Sequence, residues 1–172
     1  IIGGSLGARA LNELVPLALK KFTDDSILVT HQCGKGNSDK VKALYESASF
    51  KVEATDFIDN MDALYANTDL IICRAGALTV AETSTAGIPA IFVPLPTAVD
   101  DHQTKNASVL AKAGAAFVCK QSSLSADSLY DLVKSLVDDR EKLAFMSAKA
   151  YECAITDATE RAVKIIESVV KD

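Results

Sequence analysis

Four short stretches carry residue types suited to holding a polar, anionic ligand. The first is Gly3-Gly4-Ser5-Leu6-Gly7-Ala8. Glycines there admit tight turns and let a ligand approach the backbone, and free N–H groups at a following helix start suit an anion or a polar sugar. A turn built only for close strand–helix packing would use the same glycines, and the motif leaves both readings open. The second is Arg74-Ala75-Gly76-Ala77-Leu78-Thr79-Val80-Ala81-Glu82. Small residues lead into a helix whose first N–H groups, at Ala77, Leu78 and Thr79, would point outward. The helix dipole adds roughly half a positive charge there, so a diphosphate is a suitable guest. Glu82, one turn on, has two carboxylate oxygens for a pair of ribose hydroxyls. Thr79-x-x-Glu82 is also the spacing of a capping box, the meaning that spacing alone favours, and the bare motif does not decide.

The third stretch runs from Pro94 to Ala107. His102, Gln103 and Asn106 fall within one helical turn and can share a helix-end face, where side-chain amides could meet sugar hydroxyls. The plainer alternative has Asp100 or Asp101 capping the helix and the amides merely solvated. Asp100-Asp101 is not a D-x-D metal pair, and no other metal set stands out. The fourth is Thr55-Asp56-Phe57-Ile58-Asp59-Asn60-Met61, where Phe57, Ile58 and Met61 could wall a flat heterocycle. Core packing is the usual role of such residues.

These stretches need a scaffold, and the chain supplies one. Continuous apolar runs at Ile1-Ile2, Ile27 to Thr30, Val52 to Ala54, Leu70 to Cys73, Ala90 to Val93 and Ala115 to Cys119 read as strands covered on both faces. Helical patterns lie near Ala8–Lys20, Ser38–Ser47, Met61–Ala66, Thr79–Ala86, His102–Ala113, Ala126–Val137, Glu141–Ala150 and Ala158–Val170. Such alternation predicts an α/β fold: a doubly wound, parallel, six-stranded Rossmann-like sheet with helices on both faces. Ligands in these folds bind beyond the carboxyl ends of the strands, where all four stretches fall. The chain opens on Ile1-Ile2-Gly3-Gly4, which reads as the end of a strand. A strand normally has about five residues, so the first strand is expected to be truncated and residues 1–172 to be one excised domain.

Composition narrows the function classes. A net charge of -5 and no basic run beyond two residues argue against a nucleic-acid partner or a polybasic membrane anchor. No run of about 18 apolar residues is present to span a bilayer. The cysteines at 33, 73, 119 and 153 form no C-x-x-C pair and read as small buried hydrophobes in a reducing compartment. A dinucleotide-binding oxidoreductase needs the G-x-G-x-x-G fingerprint and an acidic residue ending the second strand, and that strand ends Val29-Thr30-His31-Gln32 instead. His31 reads as a structural strand-end residue.

Taken in order, the motifs Gly3-Gly4-Ser5-Leu6-Gly7-Ala8-Arg9, His31-Gln32-Cys33-Gly34, Phe57-Ile58-Asp59-Asn60-Met61, Arg74 through Glu82, and Asp101-His102-Gln103 through Asn106-Ala107 carry a resemblance over nearly the whole chain. The chain resembles the C-terminal, donor-binding domain of the MurG family of peptidoglycan UDP-N-acetylglucosamine (UDP-GlcNAc) transferases. The resemblance implies the C-terminal half of a two-domain GT-B glycosyltransferase. It also implies inverting transfer of GlcNAc from UDP to lipid I, forming lipid II in bacterial cell-wall biogenesis, and with it cell shape and division. Carried over residue by residue, Ser5 contacts the nucleotide, Ile58 reads the uracil through its backbone, and Met61 packs near the base. Ala77, Leu78 and Thr79 cradle the diphosphate, Val80 and Ala81 belong to the same donor-binding stretch, and Glu82 holds the ribose. Gln103 binds sugar hydroxyls with His102 beside it. UDP-GlcNAc is a substrate, so neither cofactor nor metal is expected. The general base and the site for the lipid-linked acceptor are expected in an absent N-terminal domain. That domain would also make the membrane contact, peripheral and on the cytoplasmic side of the plasma membrane, leaving this fragment soluble. The isolated chain is then expected to bind donor without turning it over. A naturally separate donor-binding subunit of a split UDP-GlcNAc transferase is the alternative, and an NAD-binding domain a distant third.

Overall fold

The computed structural model describes residues 1–4, 6–96 and 101–170. Strands and helices alternate: α1 (Arg9–Leu19), β1 (Leu28–Gln32), α2 (Ser38–Leu44), β2 (Lys51–Thr55), α3 (Met61–Ala66), β3 (Ile71–Cys73), α4 (Ala77–Thr85), β4 (Ala90–Phe92), α5 (His102–Lys112) and β5 (Ala116–Val118). A 3-10 turn at Gln121–Ser123 then leads to three consecutive helices, α6 (Ala126–Val137), α7 (Arg140–Glu152) and α8 (Ala158–Val170). All eight expected helices are present, with ends shifted by a few residues as helix ends commonly are.

Every strand pairing is parallel: β1 with β2, β3 with β4, and β4 with β5. Among the described residues five strands form, in two hydrogen-bonded groups, and the expected count of six is not confirmed. Ile2 stands between the groups as an isolated bridge to both Gln32 and Cys73, and its N–H donates to Ile72 O at 3.0 Å. Ile1 and Ile2 are enough for a bridge but too short for a ladder. The order across the molecule is thus β2, β1, Ile2, β3, β4, β5.

Alternation along the central strands shows that both faces are covered, because successive side chains point to opposite sides. Ile72, Ile91 and Val93 join a core with Leu11 and Val15 of α1 and Leu129, Val133 and Leu136 of α6. Ile71, Cys73, Ala90 and Phe92 join a second core with Ala107 and Leu110 of α5 and Ala150 of α7. That double burial is why these strands read as unbroken apolar runs. Local signals set the later helices: Ser125 and Ser128 form a reciprocal capping box at α6, and Asp139 accepts from Lys142 N at α7. No helix among the described residues is long and apolar enough to cross a membrane.

Candidate functional site

The carboxyl ends of β2, β1 and β3, with Ile2 among them, bring the predicted turns onto one rim. The clearest anion berth is the start of α4. Its N-cap is Gly76, extended at φ -61° and ψ 149°, and no side chain caps it. The Val80 N–H already donates to Gly76 O at 3.0 Å. Helix geometry leaves the preceding N–H groups of Ala77, Leu78 and Thr79 without intrahelical partners. Ala77 and Leu78 are exposed and Thr79 is half-buried, whereas the Val80 side chain packs onto the second core. Ala81 is exposed one position further on.

The helix begins at Ala77, two residues before the expected Thr79, and this removes the capping-box alternative. Thr79 stands inside the first turn, where its carbonyl accepts from Thr83 Oγ1 at 2.6 Å. Glu82 does not reach back to the helix start. Its exposed carboxylate accepts from the Tyr65 hydroxyl of α3 at 2.8 Å through Oε2. Burial, and then Glu82 itself, push the Tyr65 phenol well above its ordinary value, so it stays a donor. Tyr65 was not singled out by sequence reasoning. Its spacing of four from Met61 is the available signal, since it places both on one face of α3.

On the other side of α4, the Gln103 Oε1 of α5 accepts from Leu95 N at 2.9 Å and Ala75 N at 3.3 Å. Both partners are N–H donors, so the amide oxygen faces them and the amino group turns away. Asn106 Nδ2 donates to Ala75 O at 3.1 Å. Arg74 donates to Val93 O, Pro94 O and Gln121 Oε1 at 2.9, 3.2 and 2.7 Å, tying the exits of β3 and β4 together. His102 is exposed at the first position of α5. Asp101 is the N-cap residue, in the left-handed region at φ 53°, and its side chain makes no cap bond. Ser5 and Thr97 to Asp100, Asp100 being the other proposed cap, lie outside the described residues.

The glycine turn supports the packing reading. Gly7 and Gly34 are there for packing: a Cβ on Gly34 would sit 2.2 Å from Gly7 N, backbone against backbone. Gly4, at φ +80°, has nothing within 4 Å of its would-be Cβ and faces open space. Beside it the β2 exit carries Asp56, whose carboxylate accepts from Gly36 N, Ser38 N and Asn37 N and holds the start of α2. Those backbone bonds lower its pKa to about 2. Phe57 is 54% exposed, and Ile58 and Met61 are half-buried, with Asn60 capping α3 through Ala63 N at 2.9 Å.

His31 is fully buried and structural, as its strand-end position suggested. Asn12 Nδ2 donates to Cys33 O at 2.8 Å, so Asn12 Oδ1 faces His31 Nε2 at 3.1 Å and that nitrogen must carry the proton. Nδ1 then accepts from the Tyr45 hydroxyl at 3.1 Å. With Gln32 buried beside it, no acidic group ends β1 to hold an NAD ribose. A hollow of about 710 Å³ runs between β1 and β3, lined by Ile2, Thr30, Leu70 and Ile71, and reaches Ile58 at one end. Its walls mix apolar side chains with Thr30, Glu53, Asn67, Asp69 and Arg140, and none of the α4 N–H groups reaches it. The rim is the candidate site. Among the described residues, no three His, Cys, Asp or Glu side chains converge as a metal set would.

Comparison with known proteins agrees with this geometry. The model of the glycosyltransferase family 28 C-terminal domain matches residues 1–169. The UDP-N-acetylglucosamine–N-acetylmuramyl-(pentapeptide) pyrophosphoryl-undecaprenol N-acetylglucosamine transferase of Thiobacillus denitrificans is 49% identical over 172 residues, covering 99% of this chain and 46% of its own length. The transferase of the same name from Tolumonas auensis is 49% identical over 171 residues, covering 99% and 48%. The crystal structure of Acinetobacter baumannii MurG superposes with a TM-score of 0.92 at 46% identity, over 97% of this chain and 48% of that one. The chain therefore spans about half the length of the relatives it matches. With the parallel sheet, the two covered faces and these likenesses in place, the chain belongs to the family of glycosyltransferase family 28 C-terminal domains.

Proposed function

We propose that this chain is the donor-binding domain of an inverting transferase that moves GlcNAc from UDP-GlcNAc to lipid I, giving lipid II for peptidoglycan. The observation that carries the reading is the uncapped start of α4, flanked by Glu82 and Tyr65 on one side and Gln103 on the other. The N–H groups of Ala77, Leu78 and Thr79 receive the diphosphate. Glu82, held through one oxygen by Tyr65, takes the ribose hydroxyls with the other. The base lies toward Ile58 and Met61, with Ser5 on the nucleotide. The Gln103 amino group, facing away from Ala75 and Leu95, meets the sugar, with His102 beside it. Leaving-group stabilisation follows from this layout. As the glycosidic bond breaks, negative charge grows on UDP, and fixed N–H dipoles at a helix start oppose it without reorganising. Neither metal nor cofactor enters this scheme. The general base that deprotonates the acceptor hydroxyl and the lipid-linked acceptor site belong to the other half of the full-length enzyme. That half also brings the enzyme to the cytoplasmic face of the bacterial membrane.

Calorimetric titration of the chain with UDP-GlcNAc tests the proposal. The expected result is saturable binding of UDP-GlcNAc and UDP, no preference for NAD, and no release of UDP on incubation with acceptor. No heat of binding at millimolar UDP-GlcNAc, from a chain shown to be folded, would contradict it.

A further inference from the structure

Gln32, the last residue of β1, is 5% exposed and uses its whole amide. Its Oε1 accepts from Gly3 N at 3.1 Å, and its Nε2 donates to Gly4 O and to Asp56 O, both at 2.9 Å. The side chain therefore reaches two ways along the rim, to the glycine turn and to the exit of β2. The main chain makes separate ties: Gly3 N to Gln32 O at 3.2 Å, Cys33 N to Thr55 O at 2.8 Å, and Gly34 N to Asp56 O at 3.2 Å. Those bonds fix each neighbour to β1. The Gln32 amide is the group that touches the glycine turn at Gly4 and the β2 exit at Asp56 at once. Both donor protons and the oxygen are engaged, and a buried, fully satisfied amide sets the geometry of what it joins.

In the donor site proposed above, the two joined segments each adjoin a residue assigned to the nucleotide. Gly3-Gly4 leads to Ser5, and Asp56 leads through Phe57 to Ile58. We infer that Gln32 is a positioning residue for donor recognition: its amide sets the separation between the glycine turn and the base-reading segment, and so governs affinity for UDP-GlcNAc without touching it. This rests on the donor site proposed above. The chemistry admits few substitutes. Methionine keeps the length and loses every bond. Glutamate keeps the oxygen but sets a carboxylate against the Gly4 and Asp56 carbonyl oxygens.

Titration of UDP-GlcNAc into the chain and its Gln32→Met and Gln32→Glu variants tests the inference, with folding checked by circular dichroism. Gln32→Met is expected to bind about tenfold more weakly, the loss set by several hydrogen bonds of modest net worth. Gln32→Glu is expected to bind more weakly still at pH 8 and to recover part of the loss as the pH falls to about 5, because a protonated carboxyl regains one donor. The wild type should stay flat, since the diphosphate diester of UDP-GlcNAc does not titrate in that range. A merely structural Gln32 would show no such pH-dependent rescue. Folded variants that bind as tightly as the wild type at both pH values overturn the inference. Should Gln32→Met fail to fold, the wild type decides by NMR. Its Gln32 side-chain amide protons are expected to exchange slowly and to shift on UDP-GlcNAc binding, and unshifted resonances at saturation overturn the inference. Absence of binding by the wild type itself overturns the donor site, and this inference with it.

Discussion

Glu82 shows how a residue's role turns on what it touches. Spacing alone favours a cap over a ligand, and the two roles predict different losses. In the fold it bonds Tyr65 and lies exposed, away from the helix start. Glu82→Ala is therefore expected to leave the melting temperature nearly unchanged and to weaken UDP-GlcNAc binding by roughly 1–3 kcal/mol, the loss of bonds to a charged acceptor. The reverse pattern, unchanged affinity with a stability loss of about 1 kcal/mol, would return it to a cap. His31 makes a second prediction. Burial lowers its pKa from 6.5 to about 3. The folded chain thus keeps His31 neutral while the unfolded chain takes up a proton below about pH 6.5. Stability is complete above that value and falls with pH between about 6.5 and 3. Urea unfolding of the wild type should lose up to about 1.4 kcal/mol per pH unit more than His31→Gln across that window. Parallel curves for the two proteins would contradict the buried neutral imidazole.

At the level of elements, the helices and most strands were legible because double burial writes continuous apolar runs and helical periods into the sequence. Ile71-Ile72-Cys73 and Ala90-Ile91-Phe92 needed no context. The joints between elements were not legible. Gln32, Asp56, Tyr65 and Arg74 each act across a gap of 17 to 47 residues in sequence, and such pairings leave no local pattern. The glycine turn was half legible: its motif allowed packing or binding, and the fold assigns Gly7 to packing and leaves Gly4 facing open space. Gly34 closes the His31-Gln32-Cys33-Gly34 motif and is where two turns meet. Gly34→Ala is expected to destabilise by roughly 2–5 kcal/mol, joining left-handed strain at φ +83° to overpacking against Gly7. Gly36→Ala, at φ +75° but with nothing within 4 Å of the new Cβ, should cost only about 1–2 kcal/mol. Equal losses at the two positions, measured by denaturant unfolding, would refute the close approach of the turns.

For the whole molecule, the doubly wound α/β scaffold gathers the helix starts on one rim, and the match to family 28 C-terminal domains agrees with it. The expected sixth strand is reduced to a bridging Ile2, because strand counting from apolar runs cannot tell a ladder from a single bridge. Helix α8 stands apart. It has no buried residue, and Ile165, Ile166, Val169 and Val170 are 65, 62, 71 and 78% exposed. Removing residues 158–172 is therefore expected to leave both the melting temperature and UDP-GlcNAc affinity unchanged. A clear drop in either would show that α8 packs on the domain. If neighbouring helix starts on this rim hold the donor, a crystal of the chain grown with UDP-GlcNAc will show it. Diphosphate density is expected within hydrogen-bonding distance of the Ala77, Leu78 and Thr79 N–H groups, with the ribose on Glu82 and the uracil beside Ile58. A diphosphate in the hollow between β1 and β3, or anywhere else away from the α4 start, would contradict it.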